Sequence, residues 1–337
     1  MTELWQLGFP VPGRSEMTAQ AAEQNGWDGV FFADTQCLSG DIYSAMCLAA
    51  KATTRLKVGT AVTNPVTRHP AVTASAISTV QVESNGRAVL GIGRGDSSLG
   101  YLGQSPAPAT LLEDYIVKLQ AYLRGEAVDL DGYESQIAWI AETGLPKAPV
   151  EVACTGPRVI ALAARYADHI TFAMGADPVR IAQGIKDARV AAEAAGRDPD
   201  SLSFGAYINI ACDDDEQRAR NIIRGTTGTF AHFSGMSRAA SQGLQDAPVF
   251  QHIGANYDMA NHASGKGQHM QAVPDDFVSR FAITGRPQTC IERLSELIEQ
   301  GLDRLVLTMG SRDANPEHVK ASMARISSEI LPVLRPT

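Results

Sequence analysis

RAVLGIGRGD, residues 87 to 96, decides between two folds. An apolar run that ends in alternating glycines, Gly91, Gly93 and Gly95, brings a strand's backbone close to something, and a dinucleotide is the first suspect. The dinucleotide fingerprint, however, wants its third glycine one position later, where this chain has Asp96. The doubly wound sheet therefore loses its main sequence support, and the fold has to be read from the rest of the chain.

Seven further apolar runs of strand length flank this one: 4–10, 28–34, 56–62, 150–156, 169–175, 202–212 and 304–310. Longer amphipathic segments separate them, many with Pro or Asp at the front and Gly at the back, as helices are punctuated. Eight βα units in one chain predict a single (β/α)8 barrel domain of the α/β class over residues 1–337. Two stretches break the repeat, about 126–147 after the fourth unit and 234–286 after the seventh, and are read as insertions. Long excursions on a compact domain usually serve as lids, binding loops or interfaces.

The 337 residues carry a net charge of -8 with no local run of Lys or Arg, which argues against nucleic acid and anionic membrane as partners. The first residues, MTELWQLGFPVPG, lack a basic region followed by a long apolar one, and no later stretch approaches the roughly 20 apolar residues of a membrane span. A cytoplasmic location is expected. The cysteines, Cys37, Cys47, Cys154, Cys212 and Cys290, are odd in number and scattered, so they are read as small core fillers rather than a disulfide framework or zinc site.

In a barrel of this kind the chemistry sits just beyond the strand ends. Those positions hold Asp34, Asn64, Arg94 to Asp96, Thr155 to Arg158, Ala173 to Gly175, Asn209 and the segment from Met309 to Arg312. Gly156-Pro157 opens a helix whose first N–H groups offer an anion site, although a plain strand-to-helix turn reads the same way. Asp96 before Ser97 and Ser98 reads as a helix cap or a site carboxylate, and Asp34 as a turn residue or a carboxylate facing the barrel mouth. Arg94, set between glycines, has a bound anion or Asp96 as its natural partner. His232, His252, His262 and His269 have spacings that put no two imidazoles on one helical turn, so they read as exposed loop histidines and no metal site is expected. Neither a GxSxG elbow nor a P-loop occurs.

The blocks TNPVTRHPAVTASA (63–76) and GRAVLGIGRGDS (86–97) resemble the luciferase-like family of flavin- and coenzyme F420-dependent oxidoreductases, most closely its methylenetetrahydromethanopterin reductase-like branch. The resemblance implies a barrel holding F420, or alternatively FMN, with its ring over the mouth, usually in a homodimer. It implies a non-proline cis peptide after the third strand, by position at Thr60-Ala61, with Thr63 close by. Arg94, Gly95 and Asp96 would lie near the cofactor, with Thr155, Gly156 and Pro157 at its phosphate and Ala173 and Met174 beside the ring. Asp34 and Asp96 are the candidate catalytic residues. Sugar dehydrogenases of the family carry a histidine beside the strand-two aspartate, whereas this chain has Thr35, which argues against sugar phosphate oxidation. The implied activity is hydride transfer between F420 and a small organic substrate. An FMN-dependent monooxygenase fed by a partner reductase and a non-catalytic flavin-binding protein are the alternatives.

Overall fold

The computed structural model describes residues 2–236 and 241–335, so residues 237–240 of the second expected insertion lie outside the described residues. Eight strands follow the apolar runs of the sequence: β1 (Glu3–Gly8), β2 (Gly29–Phe32), β3 (Lys57–Thr60), β4 (Ala88–Ile92), β7 (Val150–Cys154), β8 (His169–Phe172), β9 (Ser203–Cys212) and β11 (Arg304–Thr308). Their order is β9-β11-β1-β2-β3-β4-β7-β8, and a further β8–β9 pairing closes the ring, giving the α/β (β/α)8 barrel. Parallel strands covered on both faces read as continuous apolar runs, which is why the sequence shows them. Three short strands were not read: a hairpin of β5 (Val128–Leu130) and β6 (Tyr133–Ser135), and β10 (Ile283–Gly285), which pairs with the end of β9.

Two compact units make up the chain, and each is described by itself. The first comprises residues 7–153 and 162–170. Its strands β2, β3, β4 and β7 run parallel in register, with Phe32 opposite Thr60 and Ile92 opposite Val152. Trp27, Phe31 and Phe32 are fully buried, each such side chain contributing roughly 1.5–3 kcal/mol of burial free energy. The helices α1 (Ser15–Gln24), α2 (Ile42–Lys51), α3 (Pro70–Glu83), α4 (Ser97–Gly100) and α5 (Ala109–Leu123) belong to this unit. Asp41 caps α2 by accepting the Ser44 N–H at 2.8 Å, and Pro70 opens α3, where its missing N–H is not needed.

The second unit comprises residues 1–6, 154–161 and 171–337. Its β9 is a ten-residue strand, buried at every position after Ser203, and lies in register with β11. Its helices include α7 (Pro178–Ala194), α8 (Glu216–Gly235), α9 (Ala247–Asn256), α10 (Asp275–Phe281), α11 (Pro287–Ile298) and α12 (Pro316–Arg325), after α6 (Pro157–Tyr166), which is shared between the units. Helix α8 does not simply pack beside its strand. Ser311, just past β11, donates its N–H to Ile222 at 2.8 Å and accepts the Gly225 N–H at 2.8 Å, while Ser234 accepts from Arg180 at the start of α7. The helix therefore runs across the strand ends of this unit.

Candidate active site

The strand-end chemistry of the first unit begins at Asp34, which follows β2 and is only 4% exposed. Arg68, from the loop before α3, grips its carboxylate with two nitrogens, Nη1–Oδ2 at 2.5 Å and Nη2–Oδ1 at 3.2 Å. The same guanidinium lies 3.7 Å from Asp41 and 5.1 Å from the Tyr43 ring centre. Burial alone would make Arg68 easier to deprotonate, but its hydrogen bond to Asp34 and the Asp34 charge more than offset that and raise its pKa. Burial, then the Asp34 charge, push the Tyr43 hydroxyl up as well, and burial lifts Tyr115 to about 12. The Arg68–Asp34 pair thus sits among hydroxyls that stay protonated.

Three further contacts tie the strand ends together. Asn64, fully buried, accepts the Val66 and Thr67 N–H groups at 3.0 Å and donates to Ser98 Oγ at 3.2 Å. Gln36 donates to the Ser98 carbonyl at 2.6 Å, and the hydroxyls of Thr35 and Ser97 approach to 3.4 Å. The capping role considered for Asp96 is not found, because its side chain makes no cap bond to α4. Its backbone carbonyl does that instead, accepting Leu99 and Gly100 N–H at 3.1 and 2.7 Å.

Arg94 has a partner within the chain. Its Nε donates to the Ala107 carbonyl at 2.5 Å, and Ala107 returns its N–H to the Arg94 carbonyl at 2.9 Å. The partner seen is the loop before α5 rather than Asp96.

The glycines that opened the sequence reading are explained by the chain itself. A Cβ on Gly91 would sit 2.0 Å from the Thr60 carbonyl oxygen, one on Gly93 would sit 3.0 Å from a Val62 methyl, and one on Gly95 would press on Leu99 and Asn64. Gly95 also needs φ of 80°. The close approach is strand against strand at Gly91, and strand end against neighbouring loop and helix at Gly93 and Gly95.

The cis peptide lies at Ala61-Val62, one residue beyond the expected Thr60-Ala61. The ladder explains the shift. Thr60 is still in register with Phe32, and Ala61 still donates its N–H to the Phe32 carbonyl at 2.7 Å. The chain leaves the ladder only afterwards, and Thr63 then returns to bond Gly91 at 2.9 Å.

In the second unit, Thr155 donates to the Ala173 carbonyl at 3.4 Å, and Gly156 accepts the Val159 and Ile160 N–H groups as α6 begins at Pro157. Ala173 and Met174 are both 5% exposed, and the Met174 carbonyl accepts from Arg180 at 2.7 Å. Gly175, with φ of 80°, makes room for the Phe281 ring.

The histidines are not exposed loop residues. His262 and His269 are buried and His232 and His252 half-buried, and His232, His262 and His269 surround Tyr257. The His232 ring stacks on Tyr257 at 3.8 Å, and the Tyr257 hydroxyl meets His262 Nδ1 at 2.8 Å. Among the described residues no cluster of three metal-ligating side chains occurs. Among the cysteines, Cys37 is exposed and Cys47 half-buried, so the core-filler reading holds only for Cys154, Cys212 and Cys290.

Burial, then the charges of His232 and His252, hold the His269 pKa below its ordinary value, against the pull of Asp258. The unfolded chain takes up this proton near pH 6.5, so the stability contributed by neutral His269 is present above that pH and is lost as pH falls toward the folded pKa. Urea unfolding at pH 7.5 and 5.5 should show the wild type losing more stability than His269→Gln. Equal losses would place the acid sensitivity elsewhere.

Over residues 10–304 the chain matches the family described as luciferase-like monooxygenase. It belongs to that family. The chain is 29% identical over 301 residues to 5,10-methylenetetrahydromethanopterin reductase of Methanolobus tindarius, covering 86% of this chain and 87% of that one. The solved coenzyme F420-dependent tetrahydromethanopterin reductase of Methanopyrus kandleri superposes with TM-score 0.74 at 22% identity, 99% of each chain being covered. A monooxygenase from Streptomyces bottropensis superposes with TM-score 0.69 at 18% identity over 99% of this chain and 100% of its own. These two likenesses show the fold. As a luciferase-like protein the chain is an enzyme of the oxidoreductase class, and among its described residues no helix is long and apolar enough to cross a membrane.

Sequence reasoning passed over Arg68, the closest partner of a candidate catalytic residue in this luciferase-like barrel. The signal was present in TNPVTRHP, whose one charged side chain stands in a loop with no helix face to coat. Its partner belongs to another βα unit, 34 residues away, and spacing does not reveal that.

Proposed function

We propose that this luciferase-like protein transfers a hydride between coenzyme F420 and a small organic substrate. The observation that carries the reading is the likeness to 5,10-methylenetetrahydromethanopterin reductases along nearly the whole chain, 95% of it for the Archaeoglobus fulgidus protein at 29% identity, beside the barrel shared with a coenzyme F420-dependent tetrahydromethanopterin reductase. A 26% likeness to the F420-dependent glucose-6-phosphate dehydrogenase of Beutenbergia cavernae points to the same cofactor. When bound, F420 supplies two-electron hydride chemistry with carbon where a flavin has N5.

The residues present fit such a group. The start of α6, at Gly156-Pro157, has N–H groups and a helix dipole suited to a phosphate, and the exposed Arg158 stands in its first turn. In the first unit, Thr60, Ala61 and Thr63 would flank the ring, and Arg94, Gly95 and Asp96 would border it. In the second unit, the strand-end positions Thr155, Ala173 and Met174 are the candidates for cofactor contact. Asp34 is proposed to orient rather than to shuttle a proton, because the Arg68 guanidinium already engages both of its carboxylate oxygens. Asp96, half-buried past β4, is the carboxylate proposed to exchange the proton that accompanies hydride transfer.

The test is a paired titration of the purified protein with F420 and with FMN, followed by fluorescence. F420 should bind at least about tenfold more tightly, a preference of roughly 1.4 kcal/mol. Tight FMN binding with no F420 binding would favour the reading as a monooxygenase supplied by a partner reductase. Binding of neither would remove both.

A further inference from the structure

The inner face of the second unit carries polar groups that its fold leaves without partners. Successive residues of a strand face opposite sides. Along β9, Phe204 stacks on Phe172, which lies against Gly184 of α7, and Cys212 neighbours Cys290 of α11. The even-numbered residues of β9 therefore face the outer helices, and Asn209 faces the barrel interior. Thr308 is its register partner on β11 and shares that face. Deeper in, a Cβ on Gly205 would come within 2.9 Å of Thr171 Oγ1, which places Thr171 on the inner face too.

These inward side chains are buried, Asn209 at 0%, Thr171 at 1% and Thr308 at 7% exposure. Yet both the oxygen and the nitrogen of the Asn209 amide, and both threonine hydroxyls, lack any hydrogen-bond partner. Buried polar groups are almost always paired, and an amide has two donors and two acceptor sites to satisfy. A folded chain keeps such a group at a cost unless something else completes it. Helix α8 passes over these strand ends, with Phe230 against Tyr207, so the partner would be received under a cover.

We infer that Asn209 and Thr308 form a subsite for the cis-amide edge of a planar heterocycle, an N–H and a C=O side by side. A primary carboxamide presents the complementary donor and acceptor in one plane, and the Thr308 hydroxyl, one strand spacing away, supplies a third bond to the same edge. Two sources offer this chemistry: the pyrimidinedione of the F420 ring and a lactam-bearing substrate. The inference rests on the F420 reading and assigns to these residues the orientation of a ring edge.

The experiment uses Asn209→Leu and Thr308→Val, which keep volume and remove the hydrogen-bonding groups. The melting temperature of the ligand-free protein should stay the same or rise, since each variant removes a polar group that the fold does not pair. The F420 dissociation constant, read by fluorescence, should rise at least tenfold if the edge belongs to the cofactor. If it belongs to the substrate, F420 binding should hold and the affinity of the F420-loaded protein for 6-methylpterin should fall by that factor. A lower melting temperature with both affinities unchanged in the variants would overturn the subsite and make the pair structural. Should the wild type fail to bind F420 at all, the cofactor reading fails first, which separates the two outcomes. Thr308→Val stands as the independent arm if Asn209→Leu does not fold.

Discussion

Gly91→Ala should cost roughly 4 kcal/mol or more of folding stability, at the far end of what single substitutions do. The added Cβ would lie 2.0 Å from the Thr60 carbonyl oxygen, and that oxygen has nowhere to go. It belongs to the backbone of β3, whose next N–H, Ala61, bonds Phe32 at 2.7 Å on one side while Thr63 bonds Gly91 at 2.9 Å on the other. No rotamer change relieves a contact between two backbones, so either β4 moves away from β3 or the turn through Ala61 and Val62 is rebuilt. Gly8→Ala is the control, because a Cβ there meets nothing within 4 Å. It should change stability by no more than about 0.5 kcal/mol. Urea unfolding of both variants makes the comparison, and a Gly91→Ala protein within 1 kcal/mol of wild type would show the strand contact to be slack.

How far the fold was legible follows from the same residues. The buried parallel strands announced themselves as apolar runs, but most were read a few residues too long. Ala33, Ala173, Met174 and Met309 are buried past the strand ends without belonging to the ladder, and composition alone does not separate burial from pairing. The β5–β6 hairpin was legible in principle. Its turn is Asp131-Gly132, both with positive φ, the pair that two-residue hairpin turns favour, yet three-residue strands carry too little alternation to be noticed. At the candidate site the sequence exposed which positions end the strands, and it named Asp34, Asn64, Arg94 and Asn209 among them. It did not show which of them the chain itself already uses. Arg94 turned out to clasp Ala107, and the alternating glycines to admit Thr60 and Val62, because both contacts cross between segments that periodicity treats separately.

Arg68→Met should destabilise the protein by about 3–5 kcal/mol, because it leaves the Asp34 carboxylate buried and without its cation. The two-pronged geometry and the 4% exposure of Asp34 put this pair outside the class of surface ion pairs worth little. Arg68→Lys should fall between, since a lysine keeps the charge but cannot bond both carboxylate oxygens in one plane. The double variant Asp34→Asn/Arg68→Met should recover part of the loss, as it removes the unpaired charge, and the shortfall from additivity measures the coupling. The same variants separate orientation from proton transfer. If Asp34 exchanged a proton in turnover, Asp34→Asn would lower the rate and flatten its pH profile, whereas an orienting carboxylate predicts a reduced rate with an unshifted pH profile. If instead Asp96 does so, Asp96→Asn should flatten that profile without the stability loss seen at Arg68. A profile that moves on Asp34→Asn and not on Asp96→Asn would reverse the two assignments.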